Sequence, residues 1–227
     1  MRPLLAIIGF IVLGIVIAGV VSNIHPMNSP PPIAEQPDKP EEVSVEGESK
    51  ETDPRELKTF DQVKEGAVKA VLEIENKGTI TFELYPLAAP KTVAHIVDLC
   101  KQHFYDGILV HRVESKFVFQ AGDPKSKEID AKKLHGMTSA GVEHSFGLGH
   151  TGSGKPVPLE AMLPHKAYSL GLARATALGS GDSQFYVNLV DNYNLDGKYC
   201  IFGRVVAGQD VAPKIEIGDK IKSFSVQ

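Results

Sequence analysis

Residues 3–22, PLLAIIGFIVLGIVIAGVVS, run for twenty positions without a charge. In helical form such a run spans the roughly 30 Å hydrocarbon core of a bilayer, at about 1.5 Å per residue. That feature divides the chain, because a segment suited to lipid does not share a core with a polar remainder. The apolar stretch of a signal peptide is usually only about 7–15 residues long and ends in small residues suited to cleavage. Here the run is longer and leaves through Val20-Val21-Ser22. Residues 1–22 are therefore read as an uncleaved signal anchor, a single transmembrane helix, with secretion after cleavage as the alternative. Arg2 is the only basic residue before the run and Lys39 the first after it, which favours an inward N-terminus and an outer location for the rest.

Residues 23–60 read as a linker. Seven of the fifteen prolines lie between Pro26 and Pro54, and Glu35 to Lys58 holds nine acidic residues against four basic ones. This stretch has no aromatic before Phe60. It offers too little apolar surface to offset the entropy of ordering, so it is expected to be a disordered, self-repelling spacer. With nine acidic and four basic residues its net charge is −5, so the rest of a chain whose net charge is −4 carries +1. A pI near 6.1 argues against nucleic acid as a partner. Two cysteines, Cys100 and Cys200, are too few for a disulfide scaffold.

The third segment, 61–227, has the composition of a globular domain. Val68, Ala70, Leu72 and Ile74 alternate with Lys69, Val71, Glu73 and Glu75, the period of a half-buried strand. Asn76-Lys77-Gly78 supplies a turn, and Thr79 to Tyr85 alternates again, which predicts a hairpin. Pro90 suits the first turn of a helix, and Val93, Ile96, Val97 and Cys100 then fall on one helical stripe. Short apolar runs at Ile108–Val113, Phe117–Gln120, Tyr168–Ala173, Gln184–Leu189, Cys200–Val206 and Ile221–Val226 predict further strands. A second short helix is expected over Gln209–Ile217, confined by Pro213. Many strands with two helices predict a mainly β domain, a closed or nearly closed barrel with helical caps.

Five stretches, in order along the chain, carry more specific information. They are Ala88-Ala89-Pro90-Lys91-Thr92-Val93; Phe104-Tyr105-Asp106-Gly107-Ile108-Leu109-Val110-His111-Arg112-Val113; Phe117-Val118-Phe119-Gln120-Ala121-Gly122-Asp123-Pro124; Ser183-Gln184-Phe185-Tyr186-Val187; and Leu195-Asp196-Gly197-Lys198-Tyr199 running into Ile201-Phe202-Gly203-Arg204-Val205. Together they resemble the signature of cyclophilin-type peptidyl-prolyl cis-trans isomerases, over roughly Ala67 to Gln227. The resemblance implies an eight-stranded antiparallel barrel capped by two helices, with a substrate groove on its outer face. It implies isomerisation of X–Pro bonds in polypeptides without metal or cofactor. Arg112 and Gln120 would be catalytic, the first as the cation at the prolyl nitrogen, the second as the amide that holds the substrate carbonyl and orients Arg112. Phe117, Val118, Tyr186 and Leu195 would line the proline pocket, Ala173 and the backbone of Arg174 would bind the extended substrate, and Tyr199 would complete the binding face.

Taken on residues alone, an arginine within the apolar run Ile108–Val113 has a plainer reading, a side chain on a wet strand face bonded to a carboxylate. Three positions also depart from the family pattern. Asn194 stands where many members carry a large aromatic, which counts against binding of the cyclic peptide cyclosporin. Tyr199 stands where many have histidine. Tyr186 replaces a phenylalanine and is expected to add a hydroxyl at the pocket rim. His135, His144 and His150 fit no standard metal spacing and read as solvent-exposed loop histidines within or beside the glycine-rich loop Ser139–Pro158. A serine-protease reading of His95 and Ser183 fails because His95 falls on the apolar-periodic helix rather than on a loop and no third member is in place.

The combined expectation is a membrane-anchored isomerase, bacterial by its short anchor and compact domain, with its barrel outside the cytoplasmic membrane. There it would assist folding of exported or membrane proteins. A non-catalytic module that holds extended proline-containing segments is the alternative.

Overall fold

The computed structural model describes residues 56–227. The run at 3–22 and nearly all of the proline-rich stretch lie outside the described residues. Among the described residues no helix is long and apolar enough to cross a membrane. The amide of Lys58 donates to Met162 O at 2.8 Å. Thr59 then opens a one-turn helix, α1 (Phe60–Val63), through a capping box with Gln62.

Strands β1 (Val68–Ile74) and β2 (Gly78–Leu84) form the expected hairpin, paired from Val68↔Leu84 to Ile74↔Gly78. Asn76 at φ 59° makes the tight turn between them, a conformation that asparagine tolerates better than most residues. Burial follows the alternation, since Ala70, Leu72, Ile74, Ile80, Phe82 and Leu84 are all buried. Helix α2 (Pro90–Lys101) starts at its proline and buries Val93, Ile96, Leu99 and Cys100. Its N-cap residue, Ala89, has no side chain that could satisfy the free amides. Glu160 does so from a distant loop, accepting from the amides of Lys91 (3.1 Å) and Thr92 (2.9 Å) and from the Thr92 hydroxyl.

The remaining strands are β3 (Arg112–Val113), β4 (Val118–Ala121), β5 (Ser169–Leu172), β6 (Phe185–Asn188), β7 (Cys200–Ala207) and β8 (Ile221–Val226). All pair antiparallel in the order β3-β4-β6-β5-β7-β2-β1-β8, a curled eight-stranded half-barrel. Its two edges meet before β3, where Leu109 bridges Lys220 and the amides of Val110 and Ile221 donate to Asp219 O and Ile108 O, each at 2.8 Å. Inside, Tyr105, Phe82, Phe185 and Phe224 form one aromatic cluster with ring centroids 5.3–5.8 Å apart. Aromatic pairs at such separations add about 0.5–1.5 kcal/mol each beyond their burial.

The helices differ from the expectation. The stretch Gln209–Ile217 holds only a 3-10 turn, Ala212–Lys214. Pro213 lacks the amide a longer helix would need there. An unexpected helix, α3 (Ser139–Phe146), rises instead inside the glycine-rich loop. Thr138 caps it by accepting from Gly141 N, and Gly147 ends it at φ 60°, where glycine pays no steric penalty. The expected strand Ile108–Val113 pairs as a ladder only over Arg112–Val113.

Candidate active site

The register of four strands builds the site. Arg112 faces Gln120 across β3 and β4, Gln120 faces Tyr186 across β4 and β6, and Tyr186 faces Gly171 across β6 and β5. Side chains of directly opposed residues point to the same side of a sheet, so these four stand in one row on the outer face. A groove of about 390 Å³ opens over the row. All nine residues expected from the sequence line it: Arg112, Phe117, Val118, Gln120, Ala173, Arg174, Tyr186, Leu195 and Tyr199. Gly149, which the sequence did not single out, lines it too.

Arg112 is half-buried, and its guanidinium lies 5.4 Å from the centroid of the Phe117 ring. Its Nη1 donates to Gln120 Oε1 at 3.5 Å. Among the described residues no carboxylate comes within ion-pair distance of it, so the plainer reading of a carboxylate-bonded surface arginine does not describe this side chain. Gln120 is itself held, because Nε2 donates to Gln184 Oε1 (2.9 Å) and Gln184 Nε2 donates to Thr151 O (2.7 Å). The amide chain leaves Gln120 Oε1 directed at the arginine.

Tyr186 forms the inner wall with only 5% of its surface exposed, and burial holds its phenol well above the usual range. Its hydroxyl is not at the rim, as the sequence suggested. It points inward to His165 Nε2 at 2.9 Å, while His165 Nδ1 meets Asp196 Oδ1 at 2.8 Å. Gly171 is required beneath the ring, since a Cβ there would sit 2.2 Å from Tyr186 Cζ. Tyr199 stands edge-on to Tyr186 (centroids 6.3 Å apart, 87°) and receives the Arg174 guanidinium on its face at 4.5 Å. Carbonyls of Lys198, Ala175 and Thr176 fix the rest of that arginine. Ala173 N donates to Gln184 O, which continues β5 to the groove's edge. Asn194 is the exposed middle residue of the rim turn Tyr193–Leu195, which contributes Leu195 to the groove.

Other candidates separate from this site. His135, His144 and His150 are exposed, although His144 lies on α3 rather than in a loop and His150 contacts Glu143 at 3.1 Å. His95 contacts Asp182 at 3.2 Å, and the buried Ser183 hydroxyl donates to Gly122 O, so no nucleophile–base pair forms. Cys100 and Cys200 are free and buried. The groove therefore offers a preoriented cation, an amide and an apolar wall. Sequence reading missed Gln184, Thr151, His165 and Asp196. Gln184 and Asp196 sat inside matched stretches without an assigned role, and His165 had no local signal.

Comparisons with known proteins agree with this geometry. The family model for cyclophilin type peptidyl-prolyl cis-trans isomerases matches residues 69–225. A peptidyl-prolyl cis-trans isomerase of Helicobacter pylori is 33% identical over 171 residues, covering 74% of this chain and 94% of the relative. One from Schizosaccharomyces pombe is 36% identical over 138 residues, covering 61% of this chain and 79% of the relative. The crystal structure of a cyclophilin type peptidyl-prolyl cis-trans isomerase from Cryptosporidium parvum shares the fold, with a TM-score of 0.57 at 21% identity over 70% of this chain and 98% of that one. The same protein has been solved in the presence of the dipeptide Ala-Pro. With its half-barrel, its outer groove and a family match that spans most of its length, this chain belongs to the cyclophilin-type peptidyl-prolyl cis-trans isomerases.

Proposed function

We propose that Arg112 and Gln120 carry out the isomerisation of X–Pro peptide bonds by this enzyme. One observation carries the assignment: Arg112 is a half-buried cation without a carboxylate partner among the described residues, held by Gln120 and Phe117 at the edge of an apolar wall. The barrier to rotating a peptide bond is about 18–20 kcal/mol, because the nitrogen lone pair is delocalised into the carbonyl. A fixed positive charge near the prolyl nitrogen favours the twisted state, in which that lone pair is localised. No bond is made or broken, so neither nucleophile nor metal is called for. The proline ring would enter between Phe117, Val118, Tyr186 and Leu195. The second hydrogen of Gln120 Nε2 is the donor left for the substrate carbonyl. Ala173 and Arg174 extend the groove for the flanking chain, and Tyr199 braces Arg174.

The test is exchange NMR on an Ala-Pro peptide with the full chain in detergent, beside Arg112→Ala. Loss of one preorganised donor commonly lowers rates about 10²–10³-fold. A collapse of that size with the fold intact supports the assignment. Peptide binding without exchange in the unaltered enzyme would make this a binding module, and an unaltered rate in the variant would remove Arg112 from the mechanism.

The same proposal places the domain outside the cytoplasmic membrane, anchored by residues 1–22 through the 23–60 stretch, with unfolded exported or membrane proteins as clients. The charge-free run and the position of Arg2 support this reading. Protease added to intact spheroplasts should cleave the domain, and full protection would reverse the topology. Cyclosporin is expected to bind weakly, because Asn194 offers it no aromatic surface.

A further inference from the structure

Tyr186 has a role beyond filling space. Its ring lies against Gly171, so no side chain from β5 braces it on that side, and its hydroxyl is the only polar handle by which it is fixed. The partner of that handle, His165, has no exposed surface. One oxygen, Asp196 Oδ1, accepts from both the main-chain amide (2.7 Å) and Nδ1 (2.8 Å) of His165. A carboxylate can only accept, so Nδ1 carries the hydrogen and Nε2 is bare in the neutral ring. Nε2 must then accept from the Tyr186 hydroxyl, and the chain has one direction, Tyr186 to His165 to Asp196. Burial pushes the pKa of His165 down, partly offset by Asp196, which keeps the ring in this neutral form.

Asp196 also follows Leu195 directly in sequence, and Leu195 lines the same groove as Tyr186. One carboxylate thus ties the turn that carries Leu195 to the wall formed by Tyr186, with His165 as the spacer between them. We propose that His165 is a positioning residue that sets the width of the proline pocket by holding Tyr186 at a fixed distance from Leu195. The role makes the enzyme selective for a five-membered ring. This rests on the isomerase reading, since it assumes that the prolyl ring sits against Tyr186.

The readout is the ratio of exchange rates (kcat/KM) on two peptides that differ only in carrying proline or its six-membered homologue, pipecolic acid. One extra methylene in a fitted pocket commonly changes kcat/KM by about 10–200-fold. The unaltered enzyme is expected to favour proline by at least about 10-fold. His165→Leu should free the Tyr186 hydroxyl and bring the ratio to within about threefold of unity, below that range altogether. His165→Gln, whose amide can both donate and accept, should restore most of the preference. Tyr186→Phe removes only the hydroxyl and keeps the ring, so it tests the same link without emptying a buried site. It should lower the ratio as His165→Leu does, and combining the two should lower it no further. Folded variants that keep the full preference for proline would overturn the proposal, leaving His165 as a structural group alone. If the unaltered enzyme exchanges neither peptide, the isomerase reading fails instead, so the two failures are distinguishable.

Discussion

Asp123 gives the sharpest test of how the groove is held. The residue is fully buried at the end of β4 and its carboxylate takes five hydrogen bonds. Oδ1 accepts from Lys125 N (3.0 Å) and the Thr151 hydroxyl, and Oδ2 accepts from the amides of Gly149 (2.7 Å), His150 (3.2 Å) and Thr151 (3.2 Å). Thr151 O in turn receives Gln184, which orients Gln120 and so Arg112. In Asp123→Asn, the new amide nitrogen is least harmful in place of Oδ1, where the Thr151 hydroxyl can turn to accept. Lys125 N then faces a donor, at about 1–3 kcal/mol for a buried group left unpaired. Three charge-assisted bonds at Oδ2 become neutral, a loss of about 1 kcal/mol each. The sum is about 4–6 kcal/mol, a large part of a typical total stability of about 5–15 kcal/mol. Urea denaturation should show it directly. Burial alone would raise the Asp123 pKa, but the Thr151, Gly149 and Lys125 donors outweigh it and hold the carboxyl below its ordinary value. A carboxylate with a depressed folded pKa contributes its full stability above the unfolded value, near pH 4, and loses it as pH falls through the folded value. The gap between the two proteins should therefore be widest at neutral pH and narrow in acid. A loss below about 1 kcal/mol at pH 7, or a gap that stays constant in acid, would refute this reasoning.

Three further outcomes are expected. Gly171→Ala places a Cβ 2.2 Å from Tyr186 Cζ, so the ring must swing; overpacking of this kind costs about 1–3 kcal/mol, and exchange NMR should show slower turnover, whereas wild-type rates would mean that the ring is not fixed there. Phe60→Ala removes a ring packed 5.8 Å from Tyr85 and under Arg204, and denaturation should report a loss of about 3 kcal/mol, with a loss below about 1 kcal/mol showing that α1 adds little. Burial pushes the thiols of Cys100 and Cys200 up to about 12, so iodoacetamide at pH 8 should leave the native protein unlabelled and modify both sites in guanidinium; rapid native labelling would contradict their burial.

The strands were legible because burial on one face imposes a period of two, and the β1–β2 hairpin follows from that alternation and Asn76. Helix α2 was legible from Pro90 and its stripe. Helix α3 was not, although Thr138 and Gly147 mark its ends, because the glycines between and after them read as loop. At Gln209–Ile217 the apolar spacing outweighed Pro213 in the reading, while in the molecule the missing amide prevails. The groove residues were named by resemblance, and the register shows why they meet. The chain from Tyr186 to Asp196 left no local trace. His165 lies 21 residues from one partner and 31 from the other, and nothing in a tyrosine codon position tells which way its hydroxyl points.

Folding and the geometry of the groove place the same demand on β4. Along it Val118, Phe119, Gln120 and Ala121 alternate between the two faces, and Phe119 is fully buried on the core side while Gln120 faces the groove. A slip of one residue against β6 would turn Phe119 outward and drive Gln120 into the aromatic core. Exposing a phenylalanine costs about 1.5–3 kcal/mol, and an unpaired buried amide adds about 1–3 kcal/mol more. The pairing that brings Gln120 opposite both Arg112 and Tyr186 is thus enforced by the core beneath it. A groove built on flexible loops would need its own stabilising contacts to hold a guanidinium and an amide in register. Here the hydrophobic alternation that selects the fold also fixes the order of the row Arg112, Gln120 and Tyr186, and only the outward-facing residues need differ for the groove to accept a different substrate.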